Sequence, residues 1–166
     1  SCVYQGPIAE YQVVIAERVA RAGVDLVLGH HAHAPYGIET FHSEDPGKQV
    51  PVLYSLGNFI FHHEYLPGGF EISEGTLSYL PPQLPENHQS CIAEINLSPF
   101  PDVNSHKKLY ITKVALHPAM IAKIGEATEA SLEDKITITE RLHHFSTERQ
   151  TKTLIDNHAL IWQPHW

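Results

Sequence analysis

Apolar side chains near the start of the chain recur every three or four residues, which is the spacing of one helix face. These positions are Ile8, Tyr11, Ile15, Val19 and Ala22. Pro7 suits a first helical turn and Gly23 suits a stop, so the pattern predicts an amphipathic helix over Pro7 to Ala22 that packs on a sheet. The run Val24 to Leu28, apolar except for Asp25, follows at once and predicts a short buried strand.

The middle of the chain contains short apolar runs separated by turn residues, which predict three further strands. These runs are Tyr36 to Phe41, Val50 to Tyr54 and Gly57 to Phe61. Proline, glycine and polar residues then dominate from His62 to Gln89. We expect residues 62–89 to form a long loop excursion from the core.

Alternating apolar and polar residues mark two later segments, Ser90 to Leu97 and Leu109 to Leu116, and predict an antiparallel strand pair. Cys91 falls within the first of them and is interpreted as a small buried apolar residue. A last pair of short strands is expected at Thr153 to Ile155 and Leu160 to Trp162, with a turn at residues 156–157.

A second helix is predicted between these strand pairs. Ser131 followed by Asp134 is a capping pattern, and an apolar stripe continues to about Thr147. His143 and His144 fall inside this helix, where a solvent-facing position is the default expectation.

Composition bounds the class of protein. The chain has 166 residues, of which 42% are hydrophobic and 18% are charged, as expected for a single globular domain over residues 1–166. Its formal charge is −8 and its Lys and Arg residues are scattered, so we expect no nucleic-acid partner. No apolar run reaches the roughly 18 residues that a membrane span needs, so the chain as it stands is expected to be soluble. Two cysteines, Cys2 and Cys91, leave the redox compartment open.

Histidine is unusually frequent, with 13 residues, and three of them lie together in the stretch Val24 to Glu39, VDLVLGHHAHAPYGIE. The carboxyl end of a buried strand is where open α/β sheets place ligands. In an extended segment His31 and His33 point the same way, whereas His30 points oppositely unless the turn redirects it. Neutral imidazoles bind Zn, Mn or Fe well, so the segment predicts a metal site.

This segment does not complete a metal site by itself, because a site that activates water needs four to six ligands and usually carboxylates. The alternative is that the three histidines are ordinary loop residues. For His62 and His63, which follow an apolar run without a partner pattern, that alternative is the preferred interpretation.

The stretch GHHAHAPYGIE, followed by VPVLYSLGNFIF, closely resembles the paired signature of the CapA/PgsA capsule-synthesis family, usually written GHHPH with a downstream YSLGNF. The match is strongest between Glu10 and Phe61 and weaker to the end of the chain. Ala32 stands where that family commonly has proline. That family is similar to the calcineurin-like metallophosphoesterases, whose last metal motif is Gly-His-x-His.

The resemblance implies an α/β to α+β fold that is part of a calcineurin-like β-sandwich flanked by helices. The family's earlier motifs, Asp-His, Asn-His and His-Trp-Gly, do not precede Gly29 in this sequence. We therefore expect the amino-terminal half of the domain, with most metal ligands, to lie outside this chain, and the chain alone to be inactive. Open sheet edges then suggest a homodimer.

Carried over onto this sequence, the resemblance implies that Gly29 and its histidines stand in the last metal motif. Either His31 with His33 or His30 with His33 supplies the ligands, and we favour the first pair. His30 is then a general acid or a group behind the ligands. Asn58 and His62 are candidates for substrate binding. The cofactors implied are two divalent ions, Mn, Zn or Fe.

Two functions follow from the resemblance. The first is a poly-gamma-glutamate capsule biosynthesis protein with a dinuclear metal site that hydrolyses a phosphoester when complete. The alternative is a non-catalytic accessory protein in the assembly or export of an anionic capsule polymer, with a capsule synthetase or export components as partners. The family's usual place, anchored to a bacterial membrane and facing outward, is expected for the full-length protein.

Overall fold

The computed structural model describes residues 8–30, 32–59, 88–99, 109–121 and 127–164. Two helices and eight strands lie within these ranges. In chain order they are α1 (Glu10–Arg21), β1 (Val27–Leu28), β2 (Ile38–His42), β3 (Gln49–Leu53), β4 (Gln89–Pro99), β5 (Leu109–Ile121), β6 (Ala127–Glu129), α2 (Leu132–Glu148), β7 (Leu154–Asp156) and β8 (Ala159–Trp162). The mixed content agrees with the predicted α/β to α+β class.

The first sheet has the strand order β1-β3-β2. β1 runs parallel to β3, with Val27 opposite Val52, and β2 runs antiparallel to β3. Because β1 and β3 are parallel, their carboxyl ends meet at one edge of the sheet, and the segments that follow them leave side by side.

The second sheet has the strand order β4-β5-β8-β7, and β6 pairs with the far end of β5. The predicted antiparallel pair is confirmed as β4 and β5, which run several residues beyond the predicted ends. The predicted closing hairpin is confirmed as β7 and β8. Its turn falls on Asn157 and His158, whose φ values of 44° and 60° are left-handed.

One apolar core joins both sheets to α2. It contains Ile38, Leu53, Cys91, Val114, Leu116, Ile138, Leu142, Leu160 and Trp162. Hydrogen bonds link the same layers: the backbone N–H of Ile38 donates to Ser146 Oγ at 2.8 Å, and Trp162 Nε1 donates to Thr40 Oγ1 at 2.8 Å. Cys91 is buried in this core, as predicted.

α1 confirms the first predicted helix but buries a different face from the one predicted. Tyr11 and Ile15, in the predicted stripe, are 66% and 56% exposed. The buried positions are Ala16 and Ala20, and Ala16 packs in a cluster with Val52 of β3. Small alanine side chains let the helix axis approach the sheet closely, and periodicity alone could not choose between the two apolar faces.

Two predicted strands differ from those in the structure. β1 is limited to Val27–Leu28, shorter than the predicted strand. Residues 57–59 form no strand, because Gly57 has a left-handed φ of 80° and makes only an isolated bridge, with Ser90. Residues 60–87, which hold most of the predicted excursion 62–89, lie outside the described ranges.

The second predicted helix is confirmed as α2, with Ser131 Oγ accepting from the Asp134 N–H at 3.1 Å.

Candidate functional site

Two chain segments leave the shared edge of β1 and β3 and run beside each other. We call residues 29–36 the histidine loop, of which residue 31 lies outside the described ranges, and residues 54–59 the β3 extension. The backbone N–H of Tyr36 donates to the Ser55 carbonyl at 3.0 Å, and Pro35 bridges Leu56. The two stretches of sequence that carried the family resemblance therefore adjoin in the fold.

Gly29 makes this close approach feasible. Its N–H donates to the Leu53 carbonyl at 2.7 Å, which continues the parallel pairing past the end of β1. A Cβ at this position would overlap the backbone carbonyl of Tyr54. Glycine is required here for space, because only a residue without a side chain allows the two backbones to lie this close.

His33 and Asn58 are the functional side chains that this arrangement joins. His33 Nδ1 lies 2.7 Å from Asn58 Oδ1, and Asn58 Nδ2 lies 3.5 Å from the backbone carbonyl of His33. The backbone of His33 is left-handed, with φ of 56°. Such a conformation is uncommon for a residue with a side chain and is found where surrounding contacts impose it.

The second sheet holds Asn58 in place. Gly57 lies against β4, where a Cβ would stand 2.6 Å from the Gln89 carbonyl oxygen. The Cys91 N–H donates to the Leu56 carbonyl at 2.8 Å. Asn58 itself is only 7% exposed. The hydrogen-bond partner of His33 is therefore fixed by backbone contacts between the two sheets.

An open cleft of about 470 Å³ lies beside this contact. Its wall includes His30 and Asn58, together with the apolar side chains of Phe59 and Ile92. His30 and Phe59 are exposed, so a ligand in the cleft can reach both of them. Asn58 thus both contacts His33 and lines the cleft.

Glu39, the last residue of the stretch Val24 to Glu39, is held by structural contacts. Glu39 is buried on β2, where its Oε2 accepts from the Tyr54 hydroxyl at 2.6 Å and its Oε1 lies 3.7 Å from Arg149 Nη1. Burial raises the pKa of the Tyr54 hydroxyl far above its usual range, and the Glu39 carboxylate raises it further. This contact ties the start of the β3 extension to β2 and to the end of α2.

Arg141 of α2 supports the histidine loop from the other side. Its Nη1 donates to the Pro35 carbonyl at 3.2 Å, and its Nη2 donates to Gln89 Oε1 at 2.6 Å. A guanidinium has several donors in a rigid plane, so one side chain can hold two acceptors at once. The loop and the start of β4 are thereby fixed to the same helix.

The predicted site residues fall into two groups. His33, His30 and Asn58 come together at the edge of the first sheet, whereas His31 and His62 lie outside the described residues. Across the described ranges, no three His, Cys, Asp or Glu side chains cluster as a metal group would require. His144 is exposed as predicted, but His143 is partly buried, with its Nδ1 2.8 Å from Thr153 Oγ1.

Comparison with known sequences matches the first part of the chain to a family. Residues 3–63 match the model of the family described as bacterial capsule synthesis protein PGA_cap. We call residues 3–63, which are similar to that family, the PGA_cap segment. The PGA_cap segment contains α1, the whole first sheet, the histidine loop and the β3 extension, so the His33–Asn58 contact lies entirely within it.

Curated relatives match part of the sequence. The capsule biosynthesis protein CapA of Bacillus anthracis is 33% identical over 58 residues, which are 35% of this chain and 13% of that protein. An uncharacterized protein of Sinorhizobium fredii, y4sH, is 33% identical over 64 residues, which are 39% of this chain and 13% of that protein. The matched stretch thus spans about an eighth of either relative.

Within the described residues, neither helix is long and apolar enough to span a membrane.

Proposed function

We propose that this chain contributes the histidine part of a dinuclear metal site to a CapA-like poly-gamma-glutamate capsule biosynthesis protein. In this proposal the complete protein has a calcineurin-like β-sandwich and hydrolyses a phosphoester. The observation that supports the proposal is the contact between His33 and Asn58, because it joins the two signature segments of a capsule-synthesis family at the carboxyl ends of two parallel strands.

The side chains present fit a divalent cation in one specific respect. A histidine that binds metal through one ring nitrogen almost always has the other nitrogen held by a hydrogen-bond partner. His33 has this arrangement, with Asn58 Oδ1 at Nδ1. His33 and His31 would hold the cation, with His30 as a further ligand or as a group behind them. The carboxylate ligands would come from the part of the family domain outside residues 3–63.

The chemistry proposed for the complete site divides between cation and protein. Two bound divalent ions, Mn, Zn or Fe, would polarise a phosphoryl oxygen and lower the pKa of a water molecule. Asn58 would keep the His33 ring in one orientation. His30, exposed at the cleft, would give a proton to the leaving-group oxygen. The apolar wall formed by Phe59 and Ile92 would accept the leaving group and exclude water from its side.

The accessory role is the competing proposal. An anionic polymer prefers a basic surface, and the net charge of −8 disfavours direct binding of such a polymer by this chain. A non-catalytic protein of this family would instead act through a synthetase or export partner at the membrane. Capsule production would then require the folded protein but not its imidazoles.

Hydrolysis assays on the protein extended to the length of its curated relatives test the proposal. Phosphomonoester and phosphodiester substrates are supplied with Mn²⁺ or Zn²⁺. We compare the wild type with His33→Ala and with His144→Ala, a matched loss of an exposed histidine on α2. The proposal expects metal-dependent turnover that falls by at least about 100-fold in His33→Ala, because a metal ligand is lost, and is unchanged in His144→Ala.

Capsule polymer measured in cells that carry the same variants separates the two functions. A protein that binds metal yet turns over no phosphoester contradicts the enzymatic proposal. If His33→Ala cells also make normal amounts of polymer, the accessory function replaces it.

A further inference from the structure

We infer that Asn58 is a positioning residue: its side-chain amide, oriented by the backbone carbonyl of His33, fixes the neutral His33 ring with its proton on Nδ1 and its lone pair on Nε2. The tautomer is inferred from the two contacts between these residues. Its consequence for metal binding rests on the proposed function.

The contacts of the Asn58 amide fix its orientation. A carboxamide presents an acceptor oxygen on one side and a donor NH₂ group on the other. Asn58 Nδ2 faces the His33 backbone carbonyl at 3.5 Å, and a carbonyl can only accept. The reverse orientation would set Oδ1 against that carbonyl oxygen, with two acceptors in contact. The His33 carbonyl therefore directs Oδ1 toward the His33 ring.

The oriented amide in turn fixes the tautomer of the His33 ring. Asn58 Oδ1 lies 2.7 Å from His33 Nδ1, and an amide oxygen can only accept, so Nδ1 must carry the hydrogen. In a neutral imidazole the other nitrogen, Nε2, then holds the lone pair. Histidine side chains in water favour the opposite tautomer, so the Asn58 contact reverses the ordinary preference of the ring.

Backbone contacts hold Asn58 and His33 in this arrangement. Asn58 is 7% exposed, and the neighbouring Gly57 is held against β4 by the bridge to Ser90. His33 has a left-handed φ of 56°, which brings its own carbonyl and its own ring to the same amide. Turning the amide over would break both contacts at once. The tautomer is therefore set before any ligand arrives.

The functional consequence follows from the lone pair. A histidine whose proton is already held on Nδ1 offers Nε2 to a cation without a proton shift. Loss of a hydrogen-bond partner behind a metal ligand typically weakens metal binding by about 10- to 100-fold. We expect that loss when Asn58 is replaced by a residue that cannot accept a hydrogen bond.

Nitrogen-15 NMR of the histidine rings in the metal-free protein tests the inference, at roughly pH 8, where an ordinary imidazole is neutral. The chemical shift separates a protonated ring nitrogen from one with a lone pair, and His33→Gln assigns the signals. Three variants are compared with the wild type: Asn58→Leu, Asn58→Asp and Thr139→Val. Thr139→Val is the matched control, because it removes a buried hydrogen bond, 2.7 Å to the His158 carbonyl, in another part of the fold.

The wild type, Asn58→Asp and Thr139→Val should show a protonated Nδ1, because each keeps an acceptor beside the His33 ring. Asn58→Leu should move the proton to Nε2. A wild-type ring protonated on Nε2 and not on Nδ1, or an unchanged signature in Asn58→Leu, would overturn the inference. If Asn58→Leu does not fold, the wild type and Asn58→Asp still decide, since an unprotonated Nδ1 in either of them contradicts it.

Zn²⁺ titration of the same proteins keeps this inference apart from the proposed function. Asn58→Leu should bind Zn²⁺ about 10- to 100-fold more weakly than the wild type, which is the usual effect of losing a hydrogen-bond partner behind a metal ligand. Asn58→Asp should retain the wild-type affinity. If His33 has the inferred tautomer but replacing His33 or Asn58 leaves the Zn²⁺ affinity unchanged, only the proposed metal site is contradicted. If Zn²⁺ binds through His33 but the ring has the opposite tautomer, only the positioning role of Asn58 is contradicted.

Discussion

The carbonyl oxygen of Tyr54 occupies the space in which a side chain on Gly29 would begin. We predict that Gly29→Ala lowers the free energy of unfolding by about 3 kcal/mol, the upper part of the range for overpacking, because the obstructing atom belongs to the backbone and cannot rotate away. Chemical denaturation followed by circular dichroism measures the change.

Gly47→Ala is the control for this prediction. Gly47 has a left-handed φ of 77° but open space around its Cα, so alanine there costs only backbone strain, about 1 kcal/mol. Equal losses at the two glycines would show that the close approach of the histidine loop and the β3 extension imposes no steric demand.

The buried hydrogen bond between Tyr54 and Glu39 should contribute to stability. Tyr54→Phe removes the donor, 2.6 Å away, from a carboxylate that is 7% exposed. We predict a loss of about 1–3 kcal/mol in the free energy of unfolding, because the carboxylate keeps its desolvation cost without this partner. Tyr11→Phe, at a tyrosine that is 66% exposed, should change stability by less than about 0.5 kcal/mol. A similar effect for both variants would contradict the structural role of the pair.

Cys91 should make the fold sensitive to alkaline pH. Burial raises the pKa of its thiol to about 12, an effect only partly offset by the nearby Arg141 charge. A thiol in the unfolded chain ionises near pH 8.5. Because the folded-state pKa is the higher one, this stabilisation is complete below about pH 8.5 and is lost as the pH rises toward the folded value.

The corresponding experiment compares the free energy of unfolding of the wild type and Cys91→Ala across this window. The wild type should lose about 1.4 kcal/mol per pH unit more than Cys91→Ala above roughly pH 9, while the tyrosine contributions cancel in the difference. Parallel pH profiles would mean that the folded thiol ionises as readily as the unfolded one.

Arg141 should stabilise the histidine loop through two acceptors. We predict that Arg141→Leu lowers the free energy of unfolding by about 1–3 kcal/mol and speeds hydrogen exchange at the Tyr36 amide, because the Pro35 carbonyl loses a donor. Arg141→Lys should restore only part of the lost stability, since a single ammonium replaces a planar guanidinium. Full stability in Arg141→Lys would contradict the contact of Arg141 with two acceptors. Arg18→Leu, on the exposed side of α1, serves as the control.

The sequence predicted most of the architecture, because strands and helices here follow their apolar periodicity. α2 with its Ser131 cap, the β4–β5 pair and the β7–β8 hairpin all follow that pattern. The face of α1 was predicted incorrectly, because both of its sides carry apolar residues and the choice depends on how closely Ala16 and Ala20 let the helix approach the sheet.

The site was predictable only in part. The histidine segment stood out by composition, but the partner of His33 did not, because Asn58 is 25 residues away and reaches it through the parallel pairing of β1 with β3. The signal that could have found it is the asparagine directly after Gly57, at the end of the strand that neighbours the histidine segment. A strand predicted through residues 57–61 hid that signal, since a left-handed glycine ends the extended conformation there.

Isothermal titration of Zn²⁺ into the wild type, His33→Ala and His144→Ala measures whether the imidazoles that leave β1 bind a cation. His144→Ala should bind Zn²⁺ as the wild type does, whereas His33→Ala should lose affinity by more than about 100-fold, beyond the loss typical of a supporting partner. Equal binding by all three proteins would contradict the proposed metal site.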